Sequence, residues 1–229
     1  MHSLYLLIDL FTIVVPLLFS FHPRIHFYRL WKPFLLANLS AAIIFIAWDI
    51  VFTHAGVWSF NPRYITGIFI FDLPLEEVLF FICIPYSCVF TYYCLDTFYD
   101  LSWPKKFENI FFIVFPVALL TVGIIFLDRL YTSATFITVA LFFSALKFIA
   151  RVTWLGKLIS VYAILLIPFA IVNGILTGTG IQEAVVQYNH TGIIGLRLLT
   201  IPVEDLFYGL ELVLLNILFF KMFQPPGKK

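Results

Sequence analysis

Residues 71–81 read FDLPLEEVLFF and residues 199–209 read LTIPVEDLFYG. Each is an apolar approach, a proline, one apolar residue, two carboxylates and then a long apolar run. Proline suits the first helical position, where its missing N–H costs nothing, and acids in the first turn complement the helix dipole. One such stretch reads as the start of a helix; two read as a repeat. A shift of 128 residues pairs Asn61 with Asn189, Ile65 with Ile193, Gly67 with Gly195, Pro74 with Pro202 and Glu76 with Glu204. Glu77 then meets Asp205, and Phe80 meets Tyr208.

The surrounding chain is 62% hydrophobic and 12% charged, against about a quarter charged in soluble domains. A net charge of +1 excludes the basic face that a nucleic-acid partner requires. Crossing a bilayer takes about 20 largely apolar residues. Seven segments fit, at 4–21, 34–53, 75–95, 110–127, 132–149, 158–177 and 203–223. Lys147, near the end of the fifth, is expected to snorkel to the headgroups. With no Lys or Arg before the first apolar run and no small-residue cleavage site after it, that run reads as a retained span. Spans one to three fall on spans five to seven. The fold class is therefore an all-α integral membrane protein of seven transmembrane helices, two parallel three-helix repeats joined by a connector helix. The units are 1–100, 101–131 with span four, and 132–229.

Eleven of the 14 Lys and Arg residues lie on one side of this layout: Arg24, Arg29, Lys32, Lys105, Lys106, Lys147, Arg151, Lys157, Lys221, Lys228 and Lys229. Arg63, Arg129 and Arg197 lie on the other. The positive-inside bias then puts the N-terminus outside and the C-terminus in the cytoplasm of a cell (inner) membrane. The apolar connections 54–74 and 178–201 are expected to pack on the outer face.

Acidic residues inside a bilayer are costly and read as functional by default. Glu76, Glu77, Glu204 and Asp205 are the candidate catalytic groups. Asp49 ends span two, Asp9 lies in span one, and Glu204, Tyr208 and Glu211 are spaced to share a helix face. A protonated carboxyl beside an ionised one is a general acid/base pair. The 28 Phe, 11 Tyr and 5 Trp can supply lipid contact, interfacial belts and an aromatic cavity for a long apolar ligand. Asp96 and Asp100 stand one turn apart at a cytoplasmic helix end, without the second aspartate-rich motif that diphosphate binding needs. Cys83, Cys88 and Cys94 read as small buried hydrophobes. The His and Cys residues show no metal-ligand spacing, and no dinucleotide-binding motif is present.

At the PLEE and PVED segments the chain resembles the membrane-integral lycopene cyclases, which are built from two homologous three-span halves, fused here. The resemblance carries over to Pro74, Glu76, Glu77, Pro202, Glu204 and Asp205, with Pro74, Pro202, Asn61, Asn189, Phe80, Tyr208, Glu211 and Asp49 as substrate-binding or supporting residues. The second pair departs from the first by the shorter Asp205. The resemblance implies a lipophilic carotenoid substrate, lycopene, and a cofactor-free, acid-catalysed closure of its ψ ends to β rings. The alternative is a small-solute transporter, since parallel three-span repeats with one extra span also occur there. A seven-helix retinal protein needs a lysine in the middle of the last span, and Lys221 sits at its end.

Overall fold

The computed structural model describes residues 2–224; Lys228 and Lys229 of the charge count lie outside them. Seven α-helices dominate: α1 (Leu4–Phe19), α2 (Trp31–His54), α3 (Leu75–Phe98), α4 (Lys105–Ile125), α5 (Leu130–Ser144), α6 (Leu155–Leu176) and α7 (Val203–Phe223). Six are long and apolar enough to cross a membrane; α1, with 16 residues, is shorter. Their outer faces are apolar: Phe11, Ile43, Val117 and Ile167 are all largely exposed. In hydrocarbon the backbone must satisfy itself, and helices do so within each segment.

Prolines inside the helices break that rule locally, and neighbours repair it. Pro16 cannot donate to the Thr12 carbonyl, which accepts the Ser87 hydroxyl at 2.8 Å instead. Pro85 likewise leaves the Phe81 carbonyl to the Asn38 amide at 2.9 Å. These replacement bonds tie α1 and α2 to α3. Asn38 also donates to Asn216 of α7 at 3.1 Å. On the other side, α4 and α5 pack closely because Gly123 has no side chain; a Cβ there would stand 2.7 Å from Ile137.

The connections between α2 and α3 and between α6 and α7 fold back on the helix ends and grip each other. Strand β1 (Trp58–Phe60) pairs antiparallel with β4 (Val186–Tyr188), and Ser59 faces Gln187, its mate 128 residues on. Reciprocal bonds flank this ladder: the Asn61 N–H donates to the Val185 carbonyl and the Asn189 N–H to the Val57 carbonyl, both at 2.8 Å. Tyr64, Ile65, Val185 and Ile193 are buried beneath. Hairpins β2–β3 (Phe69–Ile70 with Leu73–Pro74) and β5–β6 (Arg197–Leu198 with Ile201–Pro202) follow. Their tips expose Phe69, Phe71, Leu198 and Leu199. The N-terminal ends of α1 and α5 join the same end of the molecule, with Tyr5 N–H on the Tyr64 carbonyl and Tyr131 N–H on the Gly192 carbonyl.

Three local expectations are corrected. Pro74 and Pro202 are not the first helical residues. Each is extended, at φ −55°, ψ 144° and φ −57°, ψ 142°, because its hairpin pairs it with Phe69 or Arg197, and the helix starts one residue later. Lys147 does not reach outward: its Nζ pairs with Glu108 at 2.7 Å and lies over the Phe112 ring, in a π-helical turn (Ala145–Ile149) that ends α5. Asp96 is not simply solvated, since Lys157 Nζ is 2.6 Å and Lys221 Nζ 3.9 Å away.

The equivalent helices α2 and α6 pack differently. Small residues let membrane helices approach closely. Ala37 and Ala41 of α2 are fully buried, and α2 lies tight against α3 and α7. In α6, which begins 124 residues later, the corresponding residues are Val161 and Leu165, and α6 stands off from α3 and α7.

Candidate active site

The space that α6 leaves is a cavity of about 270 Å³. Along α3 it is lined by Glu77, Phe80, Ile84, Ser87, Cys88 and Thr91, along α7 by Asp205, Tyr208, Gly209, Leu212 and Val213. These are the i, i+3, i+4, i+7 positions of one face of each helix. From Glu77 to Thr91 is about 21 Å at 1.5 Å per residue, so the cavity is a slot with carboxylates at one end. Pockets for drug-sized ligands run about 300–1,000 Å³; this one is sized for an end group rather than a whole long chain.

Neighbouring residues on a helix point about 100° apart, and this separates the members of each acidic pair. Glu76 turns back into its own loop, where its Oε1 accepts the Thr66 N–H at 2.7 Å. Glu204 does the same, accepting the Ile194 N–H at 2.7 Å and the Thr132 hydroxyl at 2.6 Å. Both are fully buried, and neither lines the cavity. Glu77 and Asp205 do line it. The Tyr5 hydroxyl donates to Glu77 Oε2 at 2.7 Å. Asp205 accepts from Tyr131 at 2.8 Å on Oδ1, and from Asn173 at 2.8 Å and Tyr188 at 2.9 Å on Oδ2. Burial, and then the Asp205 charge, push the Tyr188 phenol well above its ordinary pKa, so it stays a donor.

Asp49 also lines the cavity, and its Oδ2 has no protein partner. Phe80 and Tyr208 belong to the lining. The Tyr208 hydroxyl is buried without a partner, and its ring packs edge-on against Phe45, Trp48, Trp58 and Tyr131. The face expected to unite Glu204, Tyr208 and Glu211 is split: Tyr208 goes with Asp205, whereas Glu211 turns to α5 and accepts the Thr138 hydroxyl at 3.0 Å. Asn61 and Asn189 lie outside the cavity, each accepting the N–H two residues on at 3.0 Å. Asp9, buried in α1, has no protein partner on either oxygen. Pro74 and Pro202 position the acids through their hairpins.

Sequence reading had not singled out Tyr5, Tyr131, Tyr188, Asn173 or Thr132. Tyr5 and Tyr131 are equivalent, each donating to the second acid of its half, yet they are 126 residues apart rather than 128. α1 and α5 begin 126 residues apart and α3 and α7 128, because the second half has nine residues between α6 and β4 where the first has three between α2 and β1; the helices before that connection are out of the register of the acids.

Searches among curated proteins and among solved structures find no match. A family model described as lycopene cyclase matches residues 2–95 and again 128–223, the two halves that the internal repeat marks out; α4 falls in the unmatched segment. This supports carotenoid cyclisation in a multi-pass membrane protein, and nothing supports the transporter alternative. The chain, with its two fused halves, belongs to the lycopene cyclase family.

Proposed function

We propose that the protein is a lycopene β-cyclase that closes the ψ ends of lycopene by acid/base chemistry, without a cofactor. The observation that carries this reading is that carboxyls of both halves, Glu77 and Asp49 from the first and Asp205 from the second, face a single aromatic slot. A proton added to C2 of the terminal double bond leaves a tertiary cation at C1. The 5,6 double bond attacks it, forming the C1–C6 bond and moving the charge to C5. Loss of the C6 proton gives the β ring, so the reaction consumes no proton overall. Aromatic faces stabilise cations, and Trp58, Phe80 and Tyr208 line the slot. Glu76 and Glu204 build the loops that hold the site, through the matched bonds to Thr66 and Ile194.

In this reading 1–100 and 132–229 are parallel halves about an axis along the membrane normal, with 101–131 as connector. The self-matched pairing of Ser59 with Gln187 supports that arrangement. All seven helices cross the inner membrane, α1 included, with the carboxylate end of the slot outside and the C-terminus in the cytoplasm, as the lysine and arginine bias favours. The test is expression in a lycopene-accumulating host followed by pigment analysis. β-Carotene or its monocyclic precursor is expected; unchanged lycopene with the protein present in the membrane would refute the reading.

A further inference from the structure

We infer that Glu77 and Asp205, which line the cavity together with Asp49, have separate tasks, Glu77 delivering the proton and Asp205 removing one. This rests on the cyclase reading above and assigns roles within it. Tyr5 and Tyr131 are equivalent and give each acid one phenolic hydrogen bond. Beyond that the halves differ. Asp205 receives two more donors, Tyr188 and Asn173, so both its oxygens already accept. The residue 128 before Tyr188 is Phe60, which has nothing to donate; α2 and α6 begin 124 residues apart, so the counterpart of Asn173 is Asp49, a third carboxyl of the cavity lining with no hydrogen bond to Glu77. Hydrogen bonds donated to a carboxylate favour its ionised form, and a proton on Asp205 would have to displace one of three donors. Glu77 accepts only from Tyr5, on Oε2; among the described residues its Oε1 accepts none. That oxygen is free to carry a proton.

In the first step the Glu77 O–H bond breaks and its proton forms the new C–H bond at C2. After ring closure the Asp205 carboxylate takes the C6 proton, and the C6–H electron pair becomes the C5–C6 π bond. Return of that proton from Asp205 to Glu77 restores the site. Tyr188 and Asn173 are positioning residues that hold Asp205 ionised.

The experiment is pigment analysis, with ring type resolved, of variants expressed to equal membrane levels. Glu77→Gln is expected to form no rings, a loss of about 10²–10⁴-fold or more. Asp205→Asn is expected still to initiate but to lose the proton from other carbons, giving rings with displaced double bonds. Tyr188→Phe with Asn173→Leu should shift ring type in the same direction, less strongly. Phe60→Tyr, which offers Glu77 a donor, should slow cyclisation and leave ring type unchanged. No rings from Asp205→Asn together with displaced double bonds from Glu77→Gln would reverse the roles and leave the cyclase reading standing. If both acid variants form no rings, the donor variants decide: an unchanged ring type in Tyr188→Phe, Asn173→Leu overturns the inference. Wild-type pigments from both acid variants would refute the site itself.

Discussion

Glu204→Gln separates holding the site from performing the chemistry. Glu204 Oε1 accepts from Ile194 N–H at 2.7 Å and from Thr132 at 2.6 Å, while its Oε2 is buried without a partner. Glutamine keeps an acceptor at Oε1 but loses the charge. Hydrogen bonds to charged groups contribute about 1.5–3 kcal/mol and neutral ones about 0.5–1.5, so two weakened bonds cost about 2 kcal/mol. At the other atom an unpartnered amide replaces an unpartnered oxygen, which is nearly even. For a chain of this size about 2 kcal/mol lowers Tm by roughly 4–8 °C. Glu77, the protonated acid of the inference above, accepts one bond, from Tyr5, so Glu77→Gln exchanges one neutral group for another and should move Tm less than Glu204→Gln while abolishing ring formation. The assay is thermal unfolding of purified protein in detergent beside lycopene conversion at matched membrane levels. Glu204→Gln should unfold early and still cyclise within a few-fold of wild type. An unshifted Tm with conversion reduced 100-fold or more would show that Glu204 acts in the chemistry and that the cavity lining misidentifies the acids.

Gly123→Ala drives a Cβ to within 2.7 Å of Ile137; overpacking costs about 1–3 kcal/mol, and Ile137→Ala should restore most of the lost Tm. Asn38→Ala strands the Phe81 carbonyl that Pro85 cannot serve, at about 1–3 kcal/mol. Adding Pro85→Ala returns an N–H to that carbonyl, so a double-mutant cycle in thermal stability should show the pair costing less than the sum of the single changes. Lys147→Met leaves Glu108 largely buried and unpaired, destabilising by up to about 3 kcal/mol, and Glu108→Gln in the same chain should recover most of it.

The repeat, the helices and the four acids were legible because they rest on composition and on the spacing of 128 between the two acidic segments. The partition within each acidic pair was not, since it depends on the helix phase at its first turn. That phase is fixed by a hairpin that holds Pro74 or Pro202 extended and delays the helix by one residue. The tyrosine partners were hidden because the longer connection from α6 to β4 puts the helices before it out of the 128-residue register. The position of Lys147 was misjudged because its partner, Glu108, lies on another helix, 39 residues away. The place of the cavity was equally out of reach. It follows from how closely two equivalent helices approach their neighbours, a difference carried by the alanines at 37 and 41 against the valine and leucine at 161 and 165.

That difference between α2 and α6 also fixes a count. A duplicated chain has two grooves by descent, and a linear polyene has two identical ends, so each half could in principle have served one end. Here α2 fills its groove and α6 leaves the other open. In the proposed arrangement the substrate's symmetry therefore has no counterpart in the site. One end is held at a time, and the second can react only after the singly closed molecule has withdrawn, reversed and entered again. The balance between one ring and two becomes a contest between release and return, governed by substrate supply and membrane crowding as much as by the carboxylates.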